Sequence, residues 1–394
     1  MQYSDTHDLF YKRINDSLAA LERDGMTRSL RPARYGVPYM ECGGRRYLNF
    51  SSNDYLGIAS DEGLAAEFAA ANGRFCFGAT GSRLLTGEHE VYREFEDYLE
   101  NLYGRPAITY NSGYHANTGV LPSLAGKGAL ILADRLVHAS IIDGVRFCGA
   151  DFLRFRHNDM DHLELLIKKH RDSYSEIWVV TESIFSMDGD KFDISSLLDL
   201  KYKYGVLLYV DEAHSIGTHG PSGLGMCFAS GHIGDIDAAV FPMGKALASH
   251  GAFVLCSENV KKYLINTSRT MIFSTALPPS CVAWSHFSVR KMTVMDDRRR
   301  HLERISSMLR KELSETGFTT AGDSHIVPVL MGENGPCLSV AEGLRNSGIW
   351  ACAIRHPTVP RGQARIRLSV SGVFSEDDIA RLAGAFMEIK RTVL

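Results

Sequence analysis

The chain has 394 residues, 45% of them apolar and 23% charged, with a formal charge of -3. That length exceeds one compact core and suits a large domain with a smaller one attached. The near-neutral balance provides no field to gather nucleic acid, and the eight cysteines lack the two-residue spacing of a zinc or dithiol site, so small-molecule partners, reduced thiols and no bound metal are expected.

The N-terminal MQYSDTHDLFYKRIND is amphipathic without an apolar signal core, and no later stretch reaches the ~20 apolar residues that span a bilayer. A cytoplasmic protein, away from membranes, is expected. From about Pro106 to Ser257 the apolar runs AITY, ALILAD, IWVVTES, VLLYVDEAH, AAVF and AFVLC alternate with amphipathic segments such as Asp161 to Ser173. This pattern predicts an α/β fold, a mainly parallel buried sheet sandwiched by helices. After Pro278 and Pro279 one long charged helical pattern, SVRKMTVMDDRRRHLERISSMLRKELSETG, leads into a second alternation ending at Leu394, read as a smaller α+β domain. The expected division is an N-terminal segment 1–50 packing with the small domain, a large domain 51–285 and the small domain 286–394.

Ligands in such sheets bind beyond the carboxyl ends of the strands, so the residues following the apolar runs are the candidates. TYNSGYHANTG places Ser112, Gly113 and Tyr114 at a helix start, where free N–H groups and the helix dipole can hold a phosphate. DRLVHAS places His138 where an imidazole can lie flat on a ring, and TESIFSMDGD supplies Glu182, Ser186 and Asp188. VLLYVDEAHS puts Asp211 at the end of the most apolar strand, with His214 three residues on. A buried carboxylate there needs a partner, and a pyridinium nitrogen is a suitable one. The DEAH string also matches a helicase box, but no G-x-x-x-x-G-K-[ST] phosphate loop occurs in the chain. Lys245, in AAVFPMGKALASHGAF, is placed to form a Schiff base if its ammonium is desolvated. Taken singly, each has an ordinary explanation: a glycine turn, a structural histidine, a capped turn, a solvated lysine. Together they form a site for pyridoxal phosphate (PLP).

The order and wording of these motifs, from YLNFSSNDYLG to PTVPRGQARIRLSVS, resemble the α-oxoamine synthase family of fold-type-I PLP enzymes over most of the chain. The resemblance implies that Lys245 carries the cofactor, Asp211 pairs with its pyridine nitrogen, His214 and Ser186 contact its phenolic oxygen and His138 stacks on the ring. Ser112, Gly113, Tyr114 and Glu182 complete the cofactor site. Thr275, in FSTALPP, would reach the phosphate of a neighbouring subunit, which makes the active unit a homodimer with shared sites. Asn53, Thr358 and Arg367 match positions that hold the amino-acid substrate, and Arg28, in RSLRPAR, would touch the acyl chain. Arg365 and Arg367 share a strand face around Ile366.

The reaction implied is the decarboxylative condensation of a small amino acid with an acyl thioester of coenzyme A or a carrier protein. The likeness is nearest to the branch that joins L-alanine to a pimeloyl thioester in biotin synthesis. Members that use glycine or serine, and a non-catalytic homologue, are the alternatives. Three departures stand out: Pro242 replaces a threonine three residues before the lysine, Ala248 and His250 replace residues often small or glycine, and Gly372, Val373 and Phe374 run through a stretch where a histidine is common.

Overall fold

The computed structural model describes residues 3–71 and 76–392. A helix, Tyr3–Arg23, leads into a small sheet of β1 (Ala33–Arg34), β2 (Tyr39–Cys42) and β3 (Arg45–Asn49). The central sheet follows: β4 (Ala107–Tyr110), β5 (Ala129–Asp134), β6 (Asp151–Phe155), β7 (Glu176–Glu182), β8 (Leu207–Asp211), β9 (Ala238–Pro242) and β10 (Ala252–Cys256). Its spatial order is β4-β10-β9-β8-β7-β5-β6. Only β10 runs against its neighbours, so the carboxyl ends of the other six strands share one edge.

Each of the six apolar runs is a strand, because a run such as ALILAD is buried at every position and tolerates helices on both faces. The sequence pattern missed β6, DFLRF, an edge strand with three exposed residues and no continuous apolar run. The long charged pattern after Pro279 is also interrupted, giving helices Pro279–Met292 and Asp296–Glu315. Buried Arg299 pins the break by donating to the carbonyl of Met292 (2.7 Å) and to the Asp296 carboxylate. The first of these helices packs on Glu90–Tyr103 and runs through the boundary expected at 285/286.

The C-terminal part contributes β11 (Ile326–Gly332), β12 (Ile349–Trp350), β13 (Cys352–Ile354) and β14 (Ala364–Ser369). The parallel pairing of β12 with β3 puts the first fifty residues and the C-terminal segment in one sheet. Phe50 stacks on Phe374 at 4.4 Å, and the Ser369 N–H donates to the Phe50 carbonyl (2.8 Å), which carries the chain from β3 past the end of β14. Gly189, at φ +68°, joins the loop after β7 to the start of β11. A Cβ there would lie 2.2 Å from the Ile326 carbonyl oxygen, so only glycine permits the approach.

The same loop is clamped to the sheet by His157. Its Nδ1 is 2.9 Å from the buried carboxylate of Asp134, and its Nε2 is 2.6 Å from Asp190. Burial alone would lower the imidazole pKa, but hydrogen bonds and charge from Asp134 and Asp190 outweigh it and raise the value to about 10. Because the folded pKa is raised, the clamp contributes its full stability below the unfolded value and loses it as pH rises through about 10. His157→Asn is therefore expected to lower the melting temperature clearly at pH 6 and progressively less towards pH 10. Equal losses at both ends of that range in thermal melts would exclude the charged clamp.

Candidate active site

The parallel register of β7 and β8 sets Glu182 directly beside Asp211, both buried. Asp211 Oδ2 accepts from Asn117 Nδ2 (2.9 Å) and its Oδ1 from the Ala213 N–H (2.9 Å). Asn117 is aimed by the Tyr209 hydroxyl, which donates to its Oδ1 (2.6 Å), and by Ser140, whose Oγ accepts from the same amide nitrogen (2.8 Å). Glu182 instead accepts from the His138 backbone N–H. Burial, followed by the neighbouring Asp211, pushes the Glu182 carboxyl well above the usual carboxylate range. Glu212 turns away from this pair and accepts from the N–H groups of Met226 (3.0 Å) and Cys227 (2.6 Å).

Lys245 follows β9 by three residues, and burial lowers its pKa against the opposing pull of Asp211 and Glu182. Among the described residues its amine has no ion pair within 4.0 Å. The turn after it passes through Ala248 at φ +49°, in the left-handed region that favours glycine, with the Ala248 N–H donating to the Lys245 carbonyl (2.8 Å). His250 is exposed beyond that turn.

Ser112 caps the helix Gly113–Leu124, its Oγ accepting from the His115 N–H (3.1 Å). The first helical N–H groups, at Gly113 and Tyr114, have no intrahelical acceptor and are available as donors. A Cβ on Gly113 would lie 2.7 Å from Pro242 Cγ, so the proline ring fills the space against this glycine while offering no N–H. The Tyr114 side chain is spoken for elsewhere: its hydroxyl donates to Asp143 Oδ2 (2.5 Å), leaving the backbone as its contribution. Thr275 is exposed at the rim, and its carbonyl accepts from Asn111 Nδ2 (2.6 Å). His138 caps the helix Ala139–Phe147, with Nδ1 2.7 Å from Ser140 Oγ; the residue is exposed, though burial of the imidazole lowers its pKa.

Two arginines on β14 behave differently. Buried Arg365 is paired with Asp188. Arg367, also buried, has only neutral partners among the described residues: its Nε donates to the Ser186 carbonyl (2.5 Å), Nη1 to Asn53 Oδ1 (3.1 Å) and Ser369 Oγ (2.6 Å), and Nη2 to the Tyr55 hydroxyl (3.5 Å). The Tyr55 hydroxyl also lies 2.6 Å from His214 Nδ1. Burial and then the charges of Lys245 and Arg367 hold the His214 pKa well below its ordinary value, so the ring is neutral. Arg28 and Thr358 meet each other at 3.2 Å on the exposed side, and no hydrogen bond among the described residues joins that pair to Arg367.

A profile for aminotransferase class I and II matches residues 45–386. An 8-amino-7-oxononanoate synthase from Chlorobaculum parvum is 46% identical over 91% of this chain and 93% of its own. Sphingomonas wittichii serine palmitoyltransferase superposes with a TM-score of 0.89 at 29% identity, covering 97% of both chains. A further structure, described as SPT with PLP, is 30% identical with a TM-score of 0.89 and covers 98% of both. The chain belongs to the α-oxoamine synthases, within the class I and II aminotransferase family.

The groups gathered in this α-oxoamine synthase fit PLP. A helix start whose glycine leaves no room for a Cβ, an imidazole on an exposed residue, a buried carboxylate and a lysine without an ion partner match a phosphate, a flat ring, a pyridine nitrogen and an aldehyde in turn. Sequence reasoning missed Asn117 and Ser140, which aim Asp211 and His138, and Tyr55, which joins His214 to Arg367. Tyr55 stands two residues from Asn53 within SSNDYLG, and its place in the motif was the available signal.

The contrast on β14 makes a direct test. Arg367→Gln is expected to raise KM for the amino acid by about 10- to 100-fold, the worth of a lost charge-assisted bond. Arg365→Gln is expected to lower the melting temperature with little change in KM, and steady-state kinetics showing equal KM changes in both would remove the distinction.

Proposed function

We propose that this enzyme condenses L-alanine with a pimeloyl thioester, releasing CO2 and the free thiol carrier and forming 8-amino-7-oxononanoate, a precursor of biotin. The observation that carries the reading is Arg367: a buried guanidinium with no carboxylate partner among the described residues, close enough for its charge to depress Lys245. A substrate carboxylate supplies the missing anion, and Asn53 and Tyr55 hold the guanidinium for it.

PLP, when bound, supplies the electron sink that stabilises negative charge at the amino acid's α-carbon. Asp211 would pair with the pyridine nitrogen and keep it protonated, with Asn117 holding the carboxylate in line. Lys245 Nζ, pushed towards its neutral form by burial, removes the α-proton. His138 would stack on the ring and polarise the thioester carbonyl, while His214 and Ser186 would hold the phenolic oxygen. The Gly113 and Tyr114 N–H groups and the Ser112 cap would hold the phosphate. Pro242 adds no donor to that end, which increases the share carried by Thr275 of the second subunit in a cytoplasmic homodimer.

A cleft of about 770 Å3 lined by Arg28, Leu338 and Trp350 reaches Ser52, next to Asn53, and takes the acyl chain of a coenzyme A or carrier-protein thioester. Glycine or serine would require only a different fit around the β-carbon, worth a few kcal/mol at most.

Holoenzyme incubated with pimeloyl-coenzyme A and each of L-alanine, glycine and L-serine is expected to release CO2 and an amino ketone with alanine above the others, read by mass spectrometry. Product from glycine or serine alone moves the enzyme to another branch, and failure to take up PLP rejects catalysis. Asp211→Asn is expected to keep the cofactor's visible absorbance and to lose turnover by about 10³-fold.

A further inference from the structure

A second cleft, of about 360 Å3, lies between the loops at Lys191 and at Thr218 to Gly220 and the helix Asp296–Glu315. His325 lines it and is 3% exposed, yet neither ring nitrogen has a hydrogen-bond partner among the described residues. Its ring meets Tyr55 edge-on, with centroids 4.0 Å apart, so the cleft backs directly onto the tyrosine that contacts His214.

Arg310 also lines the cleft. Its Nε donates to the Gly322 carbonyl (3.2 Å) and its Nη1 to the Ser306 carbonyl (3.0 Å), but Nη2 is buried without a partner, and no carboxylate of the described residues pairs with it. Of the acidic groups that face the cleft, Asp296 is taken by Arg299 and Asp323 by Lys191 at 3.5 Å, while Glu303 is exposed. Burial holds the His325 ring well below its usual pKa and His219 at about 3, so both rings are neutral and each carries an N–H.

A buried guanidinium edge and a buried imidazole with nothing to donate to are both costly. Water could satisfy the imidazole but would leave the guanidinium with only the more distant charge of Asp323, beyond 4.0 Å and already bridged to Lys191, and an apolar ligand would satisfy neither. We propose that this cleft is a binding site for a small oxyanion of the phosphate class, held by Arg310 Nη2 and the His325 ring and attracted by Lys191. Arg310 has one free edge rather than a fork, which favours a tetrahedral anion reached from several sides over a planar carboxylate. The volume leaves room for the remainder of a phosphomonoester.

The test uses PLP-loaded enzyme, so that the cofactor fills its own phosphate cradle. Inorganic phosphate and glycerol phosphate are titrated separately against chloride at matched ionic strength, with thermal melting as the readout. Phosphate is expected to raise the melting temperature saturably, and Arg310→Gln and Lys191→Gln are each expected to weaken that response about tenfold, the loss of one charge-assisted contact. If Arg310→Gln does not fold, Lys191→Gln decides. A stronger response to glycerol phosphate identifies a phosphomonoester as the ligand, and a weaker one identifies free phosphate. No phosphate-specific shift, an unchanged shift in the variants, or holoenzyme crystals grown in phosphate with water alone at His325 would overturn the proposal.

Discussion

Two carboxyl groups held side by side in a dry place are the constraint around which this protein is arranged. The in-register pairing of β7 and β8 leaves Glu182 and Asp211 no way to avoid each other. Two buried charges so close would be prohibitive, so they divide their roles: Glu182 accepts one backbone N–H and is driven towards its neutral form, while Asp211 is held by Asn117 and the Ala213 N–H. Lys245 enters the same field, where burial favours a neutral amine and the carboxyls oppose it. A nucleophilic amine and an anchored carboxylate at one strand edge are what PLP chemistry needs.

The arginines of β14 obey the same rule with the sign reversed. Arg365 and Arg367 leave β14 on one face, and each buried guanidinium needs an anion or a full set of oxygens. Arg365 has its anion in Asp188, which ties the loop after β7 to β14. Arg367 has oxygens only, two of them from Asn53 and Tyr55 just after β3. The surroundings of Arg367 therefore draw on three distant parts of the chain. They are steadied by the close approach at Gly189, on the loop that carries Ser186, and by His157, which clamps Asp190 of that loop from the turn after β6.

The fold class was legible in the residues because parallel strands buried on both faces must read as continuous apolar runs, and all six runs proved to be strands. Lys245, Asp211, His214, His138 and Ser112 could be singled out because chemistry in such sheets falls just beyond those runs. Where the run was missing, as in the exposed edge strand β6, or where a helical pattern continued unbroken past Met292, local periodicity misled. The break there depends on Arg299 reaching back to the Met292 carbonyl, a contact that periodicity does not encode.

By itself, the sequence determined which chemical groups stand at the strand ends and in what order, since that follows from strand length and polarity alone. Only the tertiary structure decided which of them touch. The register that pairs Glu182 with Asp211, the Asn117 amide that aims the carboxylate, and the separation of a paired Arg365 from an unpaired Arg367 all depend on residues far apart in the chain. Contacts of that kind are set by packing and desolvation across the whole fold, and no local pattern carries them.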